Sequence, residues 1–201
     1  MKKVGVLALQ GDFEAHAKAL ENAGAEAVEV RSASQLGDVD GLIIPGGEST
    51  TMLKLIEQEG MLPALREFGE RKPILGTCAG AILLASRVMN PPQTSLDLMD
   101  IDVERNAYGR QLDSRIAELD SQGLEGGAME AVFIRAPIIR RVGAGARILA
   151  TYHDDPVLVE QGRHLVATFH PELSNDSRVH RLFLAKLENH GAATGSVSLH
   201  R

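Results

Sequence analysis

Residues 74–80 read Ile-Leu-Gly-Thr-Cys-Ala-Gly, and this stretch decides the fold class that the sequence predicts. Its first two residues are typical of a buried strand, and Ala79 to Ala85 is typical of the start of a helix. The only cysteine of the chain, Cys78, lies in the turn between them. Gly76 and Gly80 flank it in the pattern Gly-x-Cys-x-Gly. This is the thiol counterpart of the Gly-x-Ser-x-Gly turn, whose small neighbours tolerate a strained nucleophile.

The position of Cys78 favours a reactive thiol. A thiol at a helix N-terminus faces oriented N–H groups, which favour the nucleophilic thiolate. The N–H of Ala79 is expected to point to the place where an oxyanion would form. Most free cysteines are small buried hydrophobic residues, however, and Cys78 taken alone fits that interpretation equally well.

Residues 169–173, Phe-His-Pro-Glu-Leu, supply a base and a carboxylate. Leu165 to Phe169 is typical of a strand, and the proline that follows favours an extended conformation of His170. Because residues i and i+2 of an extended chain point to the same side, Glu172 is expected to bond one nitrogen of His170 while the other faces the thiol. Cys78, His170 and Glu172 are therefore the predicted nucleophile, base and orienting carboxylate.

The remaining histidines have no comparable sequence context, and we interpret them as ordinary structural residues. They are six of the seven histidines in the chain: His16, His153, His164, His180, His190 and His200. Since these histidines are scattered and no second cysteine is present, the sequence predicts no metal site.

Composition limits the possible classes of protein. A length of 201 residues suits one domain with a full core, and a net charge of −6 argues against a nucleic-acid or anionic-membrane surface. One cysteine excludes an intrachain disulfide, and a reactive thiol suits a reducing compartment. The apolar N-terminal stretch breaks at Gln10-Gly11-Asp12, which is too early for a signal peptide, and no run approaches transmembrane length. We therefore expect a soluble, cytoplasmic protein.

Alternating apolar strands and amphipathic helices predict a parallel sheet covered on both faces. The predicted strands are Val4–Leu9, Ala27–Val30, Gly41–Ile44, Ile74–Leu75 and Leu165–Phe169. The predicted helices are Phe13–Ala23, Met52–Glu59 with a cap at Ser49 or Thr50, the segment after Cys78, and Ser177–Glu188.

Between about residues 100 and 152 the pattern changes. Short alternating segments such as Ile101–Glu104 and Ala131–Ile134 are separated by glycine-rich turns, and they are predicted to be antiparallel strands appended to the sheet. The whole prediction is a single α/β domain over residues 1–190, with an open, mostly parallel sheet, and a flexible C-terminal tail over residues 191–201.

Two further features are candidates for ligand binding. Pro-Gly-Gly-Glu-Ser at 45–49 ends a parallel strand, where open α/β sheets place their sites, so the Gly47 N–H is a candidate second oxyanion donor. From sequence alone an ordinary glycine-rich loop is the favoured interpretation, and no phosphate-loop pattern is present. Arg105 and Arg135 follow apolar segments and suit a carboxylate ligand. For either arginine taken alone, a surface position is favoured.

Together these motifs resemble the class I glutamine amidotransferases. More specific blocks are similar to the family of glutaminase subunits of pyridoxal 5'-phosphate synthase: Leu9-Gln10-Gly11, Pro45-Gly46-Gly47-Glu48-Ser49-Thr50-Thr51-Met52, Val103-Glu104-Arg105-Asn106 with Gly109-Arg110-Gln111, Phe133-Ile134-Arg135-Ala136-Pro137 and Phe169-His170-Pro171-Glu172-Leu173. The resemblance covers about residues 1–190. It departs at Asp97, where relatives often have glycine, in the stretch after Pro137, and in the tail after Gly191.

The resemblance implies a flavodoxin-like fold and a reaction. Cys78 would attack the side-chain amide of L-glutamine, with His170 as base and then as acid to the leaving ammonia, and water would hydrolyse the thioester to glutamate. The ammonia would pass to a pyridoxal 5'-phosphate synthase (lyase) subunit within a large hetero-oligomer. No cofactor or metal would be needed, and neither nucleic acid nor membrane would be a partner.

The resemblance also implies roles for further residues. Gly47 and Ala79 would form the oxyanion hole. The glutamine pocket would be lined by Gly47, Glu48, Ser49, Arg105, Ile134 and Arg135. The resemblance also implies a site that is incomplete until the synthase docks. The sequence offers Gln10 and Gly11 as the controlling element, because they end the first strand at the same sheet edge as Gly46-Gly47 and Cys78, and glycines allow the peptide planes at 10–11 and 46–47 to reorient.

Two alternative functions remain at this stage. One is a glutaminase that serves another ammonia-using synthase, for example in histidine or purine synthesis, and the specific blocks above argue against it. The other is a regulatory or binding protein of the same fold that has lost hydrolysis. The presence of Cys78, His170 and Glu172 argues against this second alternative.

Overall fold

The computed structural model describes residues 1–107 and 115–195, with the backbone alone for residues 192–195. The predicted motif Gly109-Arg110-Gln111 lies outside the described residues. Short 3-10 helices cover Ala33–Asp38 and Pro171–Leu173. The strands and α-helices are β1 (Lys3–Leu7), α1 (Phe13–Asn22), β2 (Glu26–Val30), β3 (Gly41–Ile44), α2 (Ser49–Gln58), α3 (Leu62–Arg71), β4 (Ile74–Thr77), α4 (Ala79–Leu84), β5 (Ala85–Met89), β6 (Met99–Glu104), β7 (Arg115–Leu119), β8 (Met129–Phe133), β9 (Ile138–Val142), β10 (Arg147–Tyr152), β11 (Asp155–Gln161), β12 (His164–Ala167) and α5 (Arg178–Gly195).

The main sheet has seven strands in the order β10-β11-β12-β4-β3-β1-β2. The five strands from β12 to β2 are parallel to one another, and β10 and β11 extend the β12 edge in antiparallel pairing. Read from β2, the parallel part has the order of the flavodoxin-like doubly wound sheets. The predicted α/β class, with its mostly parallel sheet, is therefore confirmed.

Both faces of the central strands are buried, because each strand alternates its side chains between two hydrophobic cores. Leu42 and Ile44 of β3 pack with Met52 and Ile56 of α2, with residues of α3 and α4, and with the sheet formed by β5, β6 and β9. Ile43, between them, packs in the second core with α1, α5 and the β7–β8 pair. Since successive side chains of a strand point to opposite faces, an all-apolar strand is stable only when both faces are covered.

The antiparallel additions differ from the prediction. Among the described residues, only β10 and β11 extend the main sheet, whereas β6, which contains Ile101–Glu104, lies between β5 and β9 in a separate three-stranded sheet. β8, which contains most of Ala131–Ile134, pairs with β7 in a two-stranded sheet. The prediction that these two segments join the main sheet was wrong, because β11 already occupies the open edge of β12 and the shorter strands pack over the two faces instead.

The ends of two helices also differ from the prediction. α2 is capped by Glu48 rather than by Ser49 or Thr50, because the Glu48 carboxylate accepts hydrogen bonds from the N–H groups of Thr50 and Thr51 at 3.1 and 2.7 Å. α5 continues to Gly195, so residues 191–195 are helical where a loose tail was predicted. Within the described part of the chain, no helix has the length and apolar character needed to cross a membrane.

Two buried histidines link the stability of the fold to pH. Burial, with a smaller effect from Arg163, lowers the pKa of His164 to about 4. Burial also lowers the pKa of His180 to about 4. In the unfolded chain both imidazoles would regain the ordinary value near 6.5. Between these two values the unfolded state binds more protons than the folded state, so stability must fall as the pH falls.

We therefore expect the free energy of unfolding to decrease by about 2 kcal/mol for each of these two histidines between roughly pH 7.5 and pH 5. The loss should begin near the unfolded pKa and level off below the folded pKa. Urea unfolding across this pH range measures it, and His164→Leu should remove the His164 share, about 2 kcal/mol, from the total change in the free energy of unfolding. A slope that is unchanged in that variant would contradict the assignment.

Candidate active site

The cleft at the carboxyl edge of the sheet is built by four neighbouring strands, β12, β4, β3 and β1. Because parallel strands end at the same edge, the loops that follow them bring distant sequence motifs together. The cleft has a volume of about 400 Å³, and its lining comprises Gln10, Asp12, Gly47, Glu48, Ser49, Cys78, Ile82, Arg105, Asn106, Ile134, Arg135 and His170. Of the residues singled out from sequence, Gly11, Ala79 and Glu172 are not part of this lining.

Cys78 occupies the strained turn that the motif predicts. Its backbone has φ +49° and ψ −103°, which for a residue with a side chain costs about 1–3 kcal/mol. The Cys78 N–H donates to the Ala167 carbonyl at 2.8 Å, and the Cys78 carbonyl accepts from the N–H groups of Ala81 and Ile82 at 3.1 and 3.3 Å. The thiol lies 3.9 Å from the Ile134 carbonyl oxygen. Hydrogen bonds to β12 on one side and to α4 on the other thus hold the Cys78 turn in place.

The two glycines of the Gly-x-Cys-x-Gly motif are required by close packing. A Cβ at Gly80 would overlap the carbonyl oxygen of Ile44 on β3, and a Cβ at Gly76 would lie 2.5 Å from the carbonyl oxygen of Gly80. Larger residues at either position would push the turn away from the sheet.

His170 and Glu172 form the pair that the sequence suggested, although through a different backbone. Pro171–Leu173 is a short 3-10 helix, so the prediction of an extended chain from His170 to Glu172 was wrong. The tight turn folds Glu172 back, and its Oε1 lies 2.7 Å from His170 Nδ1. The His170 N–H donates to the Val132 carbonyl at 2.8 Å, which anchors the loop.

The electrostatics favour a charged imidazole. Burial lowers the pKa of His170, but its interactions with Cys78 and Glu172 raise it more, to about 10. The Glu172 side chain is fully buried and that of His170 is 4% exposed, so water screens the pair weakly. A neutral imidazole that is held by Glu172 can take the proton of the thiol, and the product is an imidazolium beside the nucleophilic thiolate.

Asp12 is a cleft residue that the sequence reasoning missed. Its carboxylate oxygen lies 3.7 Å from His170 Nδ1, and its side chain is 50% exposed. Asp12, His170 and Glu172 place three ligand-type atoms within 4.8 Å of one another, an arrangement that metals also use. We interpret the group as part of the triad, because His170 Nδ1 is already bonded to Glu172.

Glu48 and Arg105, an acidic and a basic residue of the cleft, are paired with each other. The carboxylate of Glu48 caps α2 and lies 3.7 Å from an Arg105 nitrogen. Partial burial raises the pKa of Glu48, but hydrogen bonds from Thr51 and Thr50 outweigh this effect and lower it. Arg105 also donates to Thr50 Oγ1 at 2.5 Å, and its side chain is 11% exposed. The surface position favoured for Arg105 from sequence alone was therefore wrong.

Other predicted pocket residues have mixed environments. Arg135 is exposed, with a left-handed backbone at φ +44°, and its side chain lines the cleft. Ser49 is buried, and its hydroxyl donates to the side-chain oxygen of Gln93 at 3.2 Å. Asp97, which departs from the family pattern, has φ +54°, a region that favours glycine.

The loops after β1 and β3 interlock. The Glu48 N–H donates to Gln10 Oε1 at 3.0 Å, and the Asp12 N–H donates to the Gly46 carbonyl at 3.2 Å. Gly11 has φ +96°, and a Cβ there would overlap the Gly46 carbonyl oxygen. The sequence placed these glycines at one sheet edge, but it gave no sign of their mutual hydrogen bonds.

Two of the histidines that were interpreted as ordinary structural residues lie behind the triad. His16 on α1 and His180 on α5 are buried, and His16 Nε2 is 3.3 Å from Glu172 Oε2. A sequence signal existed for His16, since it shares the buried face of α1 with Leu20, four residues later.

Comparison with known proteins agrees with this geometry. The sequence profile of the SNO glutamine amidotransferase family matches residues 6–189. The chain belongs to this family. A curated member, pyridoxal 5'-phosphate synthase subunit PdxT of Solibacter usitatus (strain Ellin6076), is 62% identical over 192 residues, which cover 93% of this chain and 100% of that protein.

Solved structures place this amidotransferase in the same fold. A crystal structure of a glutamine amidotransferase superposes with a TM-score of 0.86 at 48% identity, covering 92% of this chain and 98% of that one. The structure of PurLQS from Thermotoga maritima superposes with a TM-score of 0.66 at 17% identity, covering 94% and 97%. At that identity the second likeness shows the fold alone.

The packing of Gly46 gives a prediction for the amidotransferase. A Cβ at Gly46 would overlap His170 Cε1 and would lie 3.3 Å from Cys78 Cβ. We therefore expect Gly46→Ala to displace the imidazole and to lower kcat by about 10²-fold or more, the scale of a misplacement of roughly 1 Å.

Steady-state glutamine hydrolysis measures this effect. The matched control is Gly37→Ala, because a Cβ at Gly37 meets nothing within 4 Å. Equal activity of the Gly46 and Gly37 variants would show that the loop yields without moving His170.

Proposed function

We propose that this chain is the glutaminase subunit of a pyridoxal 5'-phosphate synthase. It hydrolyses L-glutamine to L-glutamate and ammonia and transfers the ammonia to a synthase subunit in a cytoplasmic hetero-oligomer. The observation that carries the proposal is the strained Cys78 turn beside His170, whose other nitrogen is held by Glu172 at 2.7 Å. The curated relative that is 62% identical over its full length is named as a subunit of that synthase.

The triad divides the reaction into two steps. The Cys78 thiolate attacks the side-chain amide carbon of glutamine, and a C–S bond forms as the carbonyl becomes an oxyanion. The His170 imidazolium protonates the leaving nitrogen, the C–N bond breaks, and ammonia departs from a γ-glutamyl thioester. Neutral His170 then takes a proton from water, the resulting hydroxide attacks the thioester, and glutamate and the thiol are released.

The oxyanion is assigned to two backbone N–H groups. Ala79 follows the nucleophile directly at the first position of α4, and Gly47 lies in the cleft lining beside Cys78. Backbone donors of this kind stabilise charge that develops in the transition state, and each contributes about 2.7–4 kcal/mol.

The remaining cleft residues suit an amino acid substrate. Arg105 and Arg135 present cations to the α-carboxylate, and Glu48 presents an anion to the α-ammonium group. Ser49 and Ile134 complete the predicted pocket, together with the backbone of Gly47. Because Glu48 and Arg105 already contact each other, glutamine would bind by inserting its own charges into an existing pair.

Control by the partner is assigned to Gln10 and Gly11. The Gln10 side chain binds the Glu48 N–H, and Gly11 packs against Gly46, so a change at residues 10–11 reaches the residue before Gly47. A synthase subunit that docks on this loop would orient the oxyanion donors, so that free glutamine is not wasted.

The decisive experiment for the function uses Cys78→Ala in complex with the synthase subunit. We expect glutamine-dependent formation of pyridoxal 5'-phosphate to be lost, because the nucleophile is removed. Synthesis from added ammonium salt should continue, because the acceptor site lies on the partner. Wild-type and variant complexes are compared with each nitrogen source, and glutamine-driven synthesis by the variant would refute the triad. A wild-type chain that serves only a different synthase would refute the pathway assignment.

Substrate recognition is tested at Arg105. Loss of a charge-assisted hydrogen bond costs about 1.5–3 kcal/mol, so Arg105→Ala should raise the glutamine KM roughly 10–100-fold with a smaller change in kcat. Arg87→Ala is the matched control, because the Arg87 side chain is 69% exposed and pairs with Asp102 outside the cleft. An unchanged KM in the Arg105 variant would show that Arg105 does not bind the α-carboxylate of glutamine, and Arg135 alone would then be assigned to it.

A further inference from the structure

A buried pair of histidines lies against the second oxygen of Glu172. His16 and His180 are 0% and 1% exposed, and His16 Nδ1 lies 3.0 Å from His180 Nε2. The other ring nitrogen, His16 Nε2, lies 3.0 Å from Thr77 Oγ1. Thr77 is the last residue of β4 and directly precedes the nucleophile, so α1, α5 and the catalytic turn meet at one side chain.

The two oxygens of Glu172 have unequal partners. Oε1 bonds His170 Nδ1 at 2.7 Å, whereas Oε2 is buried and has no aligned hydrogen-bond donor among the described residues. Oε2 nevertheless lies 3.3 Å from His16 Nε2, whose better-aligned partner is Thr77. A buried carboxylate oxygen without any donor is costly, so the hydrogen on His16 Nε2 decides how stable this carboxylate is.

The surroundings of His16 determine where its proton lies. Burial, followed by the nearby His180 and His170, lowers the pKa of His16 well below its usual range. A neutral imidazole carries one N–H. With that hydrogen on Nε2, the N–H bonds Thr77 Oγ1 and places a positive partial charge near Glu172 Oε2, which lies 3.3 Å from the nitrogen, while Nδ1 accepts from His180. With the hydrogen on Nδ1, the Nε2 lone pair would face a carboxylate oxygen at 3.3 Å, which is repulsive.

We propose that His16 is a positioning residue of the active site, held by Thr77 and His180, whose Nε2–H fixes the Glu172 carboxylate so that its Oε1 stays on His170. This inference rests on the proposed glutaminase function. It extends the Cys78–His170–Glu172 triad inward by two residues, His16 and His180. Neither of them is part of the cleft lining.

Asp12 is a second carboxylate that could compete with Glu172 for His170, which explains why the position of Glu172 must be fixed. Its carboxylate lies 3.7 Å from the same His170 nitrogen that bonds Glu172. If Glu172 were free to turn, His170 would have a second, more exposed carboxylate within reach and the imidazole would lose a single orientation. Fixing Glu172 from behind keeps the imidazole directed at Cys78.

The test compares three variants in glutamine hydrolysis, with the synthase subunit present. His16→Leu removes the donor, and we expect kcat to fall about 10–100-fold with little change in the glutamine KM, since only the orientation of the base is affected. His16→Gln keeps an N–H at the position of Nε2, so it should recover most of the loss. His164→Leu, a buried histidine that accepts from the Ile74 N–H at the opposite end of β12, should lower stability and leave kcat unchanged.

The outcomes separate positioning from packing. Wild-type kcat in His16→Leu, a glutamine variant as poor as the leucine variant, or equal loss in His164→Leu would each overturn the proposal. Failure of the wild-type chain to hydrolyse glutamine would refute the proposed function instead.

A measurement on the wild-type protein is independent of folding defects in the variants. Imidazole ¹⁵N chemical shifts should show His16 neutral, with its hydrogen on Nε2, between about pH 6 and 8. A hydrogen on Nδ1 would overturn the proposal even if every variant were inactive.

Discussion

The backbone of Cys78 is the constraint on which the rest of the site depends. A residue with a side chain holds φ +49° only when its neighbours enforce it. Here the Ala167 carbonyl of β12 accepts a hydrogen bond from the Cys78 N–H, and Gly80 packs directly against the carbonyl oxygen of Ile44 on β3. The strand order β12-β4-β3 is therefore a requirement of the nucleophile. The same order supplies the base, because β12 reaches His170 three residues after Ala167.

Burial gives the triad its charge distribution. Removing His170 from water favours its neutral form, yet the adjacent thiol and the buried carboxylate raise its pKa to about 10. The imidazole is then charged at neutral pH, and the proton that must reach the leaving ammonia is already on His170 before substrate binds. The base role belongs to the second half of the reaction, when water attacks the thioester. In an exposed triad, water would screen the interactions of His170 with Cys78 and Glu172, and these would raise the pKa of His170 less.

Sequence reasoning succeeded where the signal was local. The turn at Cys78, the apolar strands on either side of it and the His170–Glu172 pair all follow from residues close together in the chain. It failed where tertiary contacts decide. β6 and β8 have strand patterns, but the sheet that each joins is decided by long-range pairing, since β11 is the strand that pairs with β12. Glu48 displaced the two predicted hydroxyl caps because its longer side chain reaches two N–H groups. His16 is not part of a sequence motif. Its role depends on contacts with His180 of α5 and with Glu172, which are both more than 150 residues away in the sequence.

Two carboxylates lie within reach of one imidazole nitrogen, and the fold selects between them. Asp12 is half exposed and keeps its hydration when it is unpaired, whereas Glu172 is fully buried. Moving His170 onto Asp12 would leave a buried carboxylate without its cation, and breaking a buried pair in this way costs about 3–5 kcal/mol. The 3-10 turn at Pro171–Leu173 makes this choice possible, because an extended chain would not fold Glu172 back into the core. The orientation of the base therefore follows from the depth at which its carboxylate is buried.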